Sequence, residues 1–108
     1  MKPTLYIIGD STAANKLPEK RPESGWGEHL NQYFTDEILI DNRALNGRSS
    51  KSFIEEGHFE RVSVVLREGD YLLIQFGHND QKMEDAARYT DPYGSFQKNI
   101  KMFISIFN

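Results

Sequence analysis

Three residues in this chain have the types and positions needed for a serine nucleophile with an oxyanion hole. Ser11 follows the apolar run 5–8, Gly47 lies in an Asn-Gly dipeptide, and Asn79 follows the apolar run 71–76. A serine hydroxyl becomes an effective nucleophile when a base takes its proton and hydrogen-bond donors stabilise the oxyanion. The backbone amides of Ser11 and Gly47 and the side-chain amide of Asn79 are suitable donors. Together they predict a serine nucleophile with an oxyanion hole.

Each of these segments, taken alone, is also typical of an ordinary turn. Gly9-Asp10-Ser11-Thr12 and Asn46-Gly47 have turn-forming compositions, and Asn79-Asp80 after a strand is typical of an Asx turn or a helix cap. The catalytic interpretation therefore depends on the three segments occurring together.

The strands that must position these segments are short and apolar. They are predicted at 5–8, 38–40 and 71–76. The near-continuous apolar composition of the third run is typical of a strand covered on both faces. Since ligands bind beyond the carboxyl ends of parallel strands, all three candidate residues are expected at that edge of the sheet.

Helical patterns alternate with these strands. Ser24 is expected to cap a first helix with an apolar stripe at Trp26, Leu30, Tyr33 and Phe34. Residues 50–67 are helical with a break at Gly57, and Asp91-Pro92 is expected to begin a last helix. The stripe of that last helix comprises Phe96, Ile100, Phe103, Ile104 and Phe107. The order β-α-β-α-β-α predicts an α/β fold with a parallel sheet, right-handed crossovers and helices on both faces.

Composition excludes several classes of function. A chain of 108 residues is expected to form a single domain, and its net charge of −3 without a basic stripe argues against a nucleic-acid partner. The longest apolar run is too short to span a bilayer, so no membrane partner is expected. Cysteine is absent, which excludes disulfides and a thiol nucleophile. Asp36, Asp41 and Asp80 have no histidine at ligand spacing, and no glycine-rich phosphate loop occurs, so neither a metal nor a cofactor is expected.

Four motifs follow one another in a distinctive order. They are Ile8-Gly9-Asp10-Ser11-Thr12, Gly25-Trp26-Gly27, Ala44-Leu45-Asn46-Gly47-Arg48-Ser49, and Gly69-Asp70-Tyr71 leading into Phe76-Gly77-His78-Asn79-Asp80. In this order they resemble the SGNH (GDSL-like) hydrolases, specifically the rhamnogalacturonan acetylesterase-like branch. The resemblance extends over essentially the whole chain but only about the first half of a family domain. It implies a three-layer α/β/α, flavodoxin-like fold, here with about three strands.

The resemblance also implies roles for individual residues. Ser11 matches the nucleophile, and the oxyanion donors are matched by its own amide, the amide of Gly47 and the side chain of Asn79. Asp10 matches an aspartate that braces the nucleophile loop. Thr12, in place of a leucine, favours carbohydrate deacetylation, with an acetylated polysaccharide or oligosaccharide as the substrate. A secreted or periplasmic location is favoured, although the chain enters a strand within a few residues of Met1 and no signal peptide is visible.

The general base of the family has no match in this sequence. The resemblance assigns it to an Asp-x-x-His block that would follow two further strands. Of the three histidines, His29 is expected on the first helix and partly buried, His58 is expected to be exposed, and His78 matches a loop-positioning residue. The 108-residue chain is therefore expected to be weakly active or inactive by itself.

The sequence leaves two other functions open. One is a truncated, non-catalytic domain that binds carbohydrate or self-associates, and the other is a lipase or thioesterase of the same fold.

The family's third strand has a fourth strand beside it, for which this chain has no sequence. Residues 71–76 would then be an unprotected apolar edge, which predicts a homo-oligomer.

Overall fold

The computed structural model describes residues 2–106, in which three strands form a parallel sheet. Strand β1 spans Thr4–Gly9, β2 spans Leu39–Asn42, and β3 spans Tyr71–Gln75. The order is β2-β1-β3, and both outer strands run parallel to β1. The structure confirms the three predicted strands and the α/β fold class, in a flavodoxin-like arrangement.

Helices occur between and after the strands. A short 3-10 turn at Pro18–Lys20 and a 3-10 helix at Trp26–Tyr33 separate β1 from β2. Helices α1, Ser50–Glu55, and α2, His58–Ser63, precede β3, and α3 spans Ser95–Ser105. Gly57 has φ 85°, a left-handed conformation that ends α1, so the predicted break is confirmed. No helix within residues 2–106 has the length and apolarity to cross a membrane.

The first predicted helix differs from expectation in type and in its start. It is a 3-10 helix that begins after Gly25, and Ser24 is not its cap. The amides of Trp26 and Gly27 donate to the carbonyls of Thr12 and Ala13, at 2.9 and 3.0 Å, so the loop after β1 supplies the acceptors that a cap would supply. A 3-10 helix has about three residues per turn, so residues at α-helical spacing do not share one face. The predicted apolar stripe is therefore wrong at its end, where Tyr33 and Phe34 are exposed.

The last helix begins later than predicted, at Ser95. Asp91 closes a turn instead of capping the helix, since its carbonyl accepts from the amides of Gly94 and Phe96 at 3.1 and 3.0 Å. The amide of Asp91 itself donates to Ser95 Oγ at 2.9 Å. Phe103 is fully buried as the stripe predicts, Ile104 is exposed, and Phe107 lies outside the described residues.

The expectation that β3 is covered on both faces is wrong for the described residues. Tyr71 and Leu73 are 56% and 39% exposed. Side chains alternate between the two faces of a strand, so these residues share one face, and residues 2–106 leave that face open.

The described residues separate into two compact units. The first comprises the residues up to Gly47 together with Leu66–Gln75, and the second comprises Arg48–Val65 and the residues from Phe76. The core of the first unit consists of Ile7, Ala13, Ala14 and Ala44, with Trp26, Leu30 and Ile40 packed against it. The core of the second is aromatic and includes Phe53, Phe59, Phe76 and Phe103. That the chain forms a single domain stays a prediction.

Candidate active site

Ser11 begins a tight turn immediately after β1. The amide of Asp10 donates to the carbonyl of Gln75 on β3 at 3.2 Å, which holds the turn at the end of the sheet. The carbonyl of Asp10 accepts from the amides of Ala13 and Ala14, both at 3.1 Å. Two bonds to that carbonyl polarise the peptide that joins Asp10 to Ser11. The amide of Ser11 therefore becomes a stronger donor, as an oxyanion hole requires.

The side chain of Asp10 supports the same turn from inside the protein. It is fully buried, and its Oδ1 accepts from the amide of Thr12 at 3.0 Å. Its Oδ2 has no hydrogen-bond partner among residues 2–106. This geometry suits the bracing role predicted for Asp10, which stays a prediction.

The segment that carries Gly47 leaves the sheet beside the Ser11 turn. Past the end of β2, the amide of Leu45 still donates to the carbonyl of Gly9, at 3.0 Å. This bond aligns the Gly47 loop with the end of β1. Gly47 is exposed, with φ 77° and open space where a Cβ would lie. Glycine is therefore favoured here by the left-handed backbone and not by a close contact.

Asn79 lies in the second unit, and its side chain is 2% exposed. Its Nδ2 donates to the carbonyl of Arg48 at 2.9 Å, and its Oδ1 accepts from Nη1 of Arg88 at 3.0 Å. An arginine only donates, so Arg88 fixes which end of the amide is oxygen. One N–H of Asn79 is engaged by Arg48, which leaves the other for the predicted oxyanion contact.

Arg88 is a supporting residue that sequence reasoning missed. Its Nε donates to Asp85 Oδ2 at 2.7 Å, and this bond holds the pKa of the Asp85 carboxyl below its usual range. Asp85 and Arg88 are three residues apart on a turn. Asp85 holds the guanidinium of Arg88, which in turn orients the side-chain amide of Asn79. Only the spacing of the two charges was visible in the sequence.

Asp80 anchors the loop on the other side of Asn79. Its buried carboxylate accepts from the amide and hydroxyl of Ser50, at 2.9 and 2.5 Å, and from Thr90 Oγ1 at 2.7 Å. Asn99 on α3 completes the network by donating to Ser50 Oγ at 3.0 Å. The loop after β3 is thus tied to α1 and α3 within the second unit.

The candidate site residues are divided between the two units. Ser11, Asp10 and Gly47 belong to the first unit, where the bond between Leu45 and Gly9 brings their loops together. Asn79 belongs to the second unit. That Asn79 meets Ser11 around one oxyanion stays a prediction.

The three histidines make no described hydrogen bond to Ser11. His29 is exposed, contrary to the expected partial burial, because it lies on the outer side of the 3-10 helix, 3.5 Å from Gln32. His58, expected to be exposed, is half-buried between Glu56 and Arg61, at 3.0 and 2.9 Å. His78 is exposed. Residues 2–106 contain no group of three or more histidine or carboxylate side chains able to hold a metal ion.

Glu28 is a second anchor that sequence reasoning missed. Both of its carboxylate oxygens accept from the guanidinium of Arg21, each at 2.9 Å, and the amide of Gly25 donates to it at 2.9 Å. The Arg21 guanidinium, followed by the amides of Gly25 and Lys16, lowers the pKa of Glu28 to about 2. Glu28 therefore ties the Gly25-Trp26-Gly27 motif to the loop that follows Ser11.

Replacing Glu28 by glutamine is expected to change how stability depends on pH. A carboxyl whose folded pKa lies below its unfolded value contributes stability above the unfolded pKa, and that contribution is lost as the pH falls toward the folded pKa. For Glu28 this window runs from about pH 5 down to about pH 2. The urea midpoints of the parent and of Glu28→Gln should therefore differ most above pH 5 and converge toward pH 2. Glu19→Gln, at an exposed position of the same loop, is the control; a constant gap at every pH would contradict the assignment.

Known proteins match most of the length of this chain. The profile of the GDSL-like lipase/acylhydrolase family matches residues 5–108, and the chain belongs to this family. The chain is 42% identical over 99 residues to a rhamnogalacturonan acetylesterase of Bacillus subtilis, covering 92% of this chain and 41% of that protein. It is 43% identical over 77 residues to a rhamnogalacturonan acetylesterase of Emericella nidulans, covering 71% of this chain and 28% of that protein.

A solved structure has the same fold. The crystal structure of protein YxiM from Bacillus subtilis superposes with a TM-score of 0.77 and 26% identity, over 98% of this chain and 29% of that chain. The resemblance identified from the four sequence motifs is thereby confirmed at the level of family and fold. The chain spans less than half the length of each of these relatives.

Proposed function

We propose that the protein to which this chain belongs removes acetyl groups from a carbohydrate, with Ser11 as the nucleophile. The observation that carries the proposal is the position of Ser11, on a tight turn at the end of β1, beside the loop of Gly47. Two relatives named rhamnogalacturonan acetylesterases support an acetylated, galacturonate-containing polysaccharide as the substrate.

The reaction has two acyl-transfer steps. Ser11 Oγ attacks the acetyl carbonyl carbon and loses its proton to a base, and the carbonyl oxygen becomes an oxyanion. We assign stabilisation of this oxyanion to the amides of Ser11 and Gly47 and to the side chain of Asn79. The bond to the sugar oxygen then breaks, and the sugar hydroxyl leaves with a proton. Water next attacks acetyl-Ser11 and releases acetate.

Substrate preference tests the proposal, with imidazole supplied as a diffusible base. The Ser11-dependent rate is the rate of the parent minus that of Ser11→Ala under the same conditions. It should be at least about tenfold higher for acetate release from acetylated rhamnogalacturonan than for hydrolysis of a p-nitrophenyl palmitate or of an acetyl thioester, because a polar acetylated sugar offers more contacts outside the acyl group.

The control outcomes separate the competing functions. A preference for the palmitate ester would identify a lipase, and a preference for the thioester would identify a thioesterase. Binding of the oligosaccharide without any Ser11-dependent release would identify a carbohydrate-binding domain. Any of the three would overturn the proposed deacetylation.

We also propose that the 108-residue chain self-associates. Strand β3 has one hydrogen-bonded neighbour among the described residues, and its Tyr71 and Leu73 side chains are exposed. An unpaired edge strand with apolar side chains and no charge is a template for pairing with another copy. A two-fold dimer is the simplest closed assembly of this kind.

Sedimentation at micromolar concentration should show a dimer for the parent chain. The double variant Tyr71→Lys/Leu73→Lys should be a monomer, because like charges would face each other across the interface. Tyr33→Lys is the matched control, since Tyr33 is an exposed tyrosine on the 3-10 helix. A monomeric parent, or a dimer that survives the double substitution, would contradict this arrangement.

A further inference from the structure

Lys16 is a buried cation in the loop that follows Ser11. It is 8% exposed, although it lies in a polar segment where a lysine side chain would ordinarily extend into water. Its Nζ donates to the carbonyls of Ser11 and Ala14, the latter at 3.2 Å, and to Asn46 Oδ1 at 2.9 Å. A lysine ammonium has three donors, and these three acceptors satisfy all of them.

The partners of Lys16 are unusual for a buried charge. All three described acceptors are neutral oxygens, and none is a carboxylate. Burying an ammonium costs free energy that only well-formed hydrogen bonds offset. Because all three N–H groups of the Lys16 ammonium are hydrogen-bonded, its burial indicates a specific arrangement. The ammonium holds the segments of Ser11, Ala14 and Asn46 together and does not merely fill space.

The segments that Lys16 joins are those that carry the first two oxyanion donors. Ser11 supplies one acceptor from its own carbonyl, and Asn46 directly precedes Gly47. Other described hydrogen bonds between these two segments run from the amide of Leu45 to the carbonyl of Gly9, and from Nδ2 of Asn42 to the carbonyl of Ala13 and to Asn15 Oδ1. These bonds involve neither Ser11 nor Asn46, whereas the Lys16 ammonium bonds directly to both.

We propose that Lys16 is a positioning residue for acyl transfer, whose ammonium clamps the Ser11 turn to the Gly47 loop and fixes the spacing of the two oxyanion amides. This inference rests on the proposed function of Ser11 and extends it. Oxyanion donors must lie near 3 Å from the developing charge, and a misplacement of about 1 Å costs roughly a hundredfold in rate. The ammonium, whose described acceptors are neutral oxygens, also favours negative charge developing at the same turn.

Hydrogen exchange tests the clamp without reference to activity. In Lys16→Met, the amides of residues 10–14 and 44–48 should exchange faster than in the parent, while the strands stay protected. Lys20→Met is the matched control, because Lys20 is exposed in the same loop. If a folded Lys16→Met variant shows unchanged exchange in both segments, Lys16 does not hold them together and the inference is overturned.

A chemical substitution separates the ammonium from the aliphatic stem. The chain contains no cysteine, so Lys16→Cys introduces a unique thiol that can be alkylated in denaturant before refolding. 2-Bromoethylamine gives a side chain with the length and charge of lysine, and 1-bromopropane gives a neutral one of equal length. The aminoethyl form should match the parent in exchange, whereas the propyl form should match Lys16→Met. Equal protection by both groups would assign the effect to packing and overturn the inference.

Acylation then connects the clamp to the reaction. With imidazole present, Lys16→Met should lower the Ser11-dependent rate constant about tenfold to a hundredfold with little change in KM, and the aminoethyl form should restore it. Lys20→Met should react as the parent does. A parent without Ser11-dependent acylation would refute the proposed function, and the exchange data would still decide the clamp. Looser loops with an unchanged acylation rate would overturn the positioning role while leaving the function intact.

Discussion

Without an added base, the 108-residue chain is expected to hydrolyse p-nitrophenyl acetate at a rate only about 10³–10⁴-fold above that in water. This is the rate that oxyanion stabilisation and binding support when members of a catalytic triad are missing. None of the hydrogen bonds of residues 2–106 joins a histidine to Ser11, and two of the three histidines contact other side chains. Initial rates at pH 7 with micromolar protein measure this directly.

The matched variant for this experiment is Ser11→Ala. Because the serine hydroxyl is unactivated without a base, its loss should change the residual rate little. Imidazole also hydrolyses p-nitrophenyl acetate directly, so adding it should raise the rate of both proteins, and the rate of the parent should rise more than that of Ser11→Ala. Ordinary esterase turnover by the parent that disappears in Ser11→Ala would mean that the chain contains a working base, and His78 would be the first residue to replace.

The second large effect is expected in the core of the second unit, where Phe103→Ala should lower the free energy of unfolding by about 3–5 kcal/mol. Phe103 is fully buried, with its ring centroid 4.8 Å from that of Phe59 and 5.5 Å from that of Phe76. Removing the ring leaves a cavity between α2, α3 and the segment after β3. Domains of this size are stable by only about 5–15 kcal/mol, so the variant should approach partial unfolding.

Ile104 provides the control on the same helix. It follows Phe103 in sequence but is exposed, so Ile104→Ala should cost less than about 1 kcal/mol. Urea denaturation followed by far-ultraviolet circular dichroism compares the two variants. Equal destabilisation by both would mean that α3 packs on a different face from the one described.

The strands and the candidate nucleophile were predictable from the sequence because their signals are local. An apolar run ending in Gly-Asp-Ser-Thr identifies a strand and the turn after it within a few residues, and the break at Gly57 follows from one residue's access to positive φ. The family was also predictable, because four such local motifs occur in one order. The first helix was less predictable, since its start depends on acceptors in another segment, as at Trp26. The last helix begins later than predicted because Asp91 and Ser95 close a local turn before it.

What the sequence by itself determined is therefore the strand order along the chain, the α/β class and the family, and it identified Ser11, Gly47 and Asn79 as candidate site residues. The tertiary structure decided which polar residues hold these positions. In the sequence, ordinary solvent-exposed charges are the simplest interpretation of Lys16, Glu28, Asp80 and Arg88. Their partners lie in other segments, as far away as Asn46 from Lys16 and Ser50 from Asp80. The physical reason is that a charged side chain that faces water contributes little to the stability of the fold, whereas one that is buried among donors and acceptors holds their segments together. Only the folded chain brings those atoms into contact.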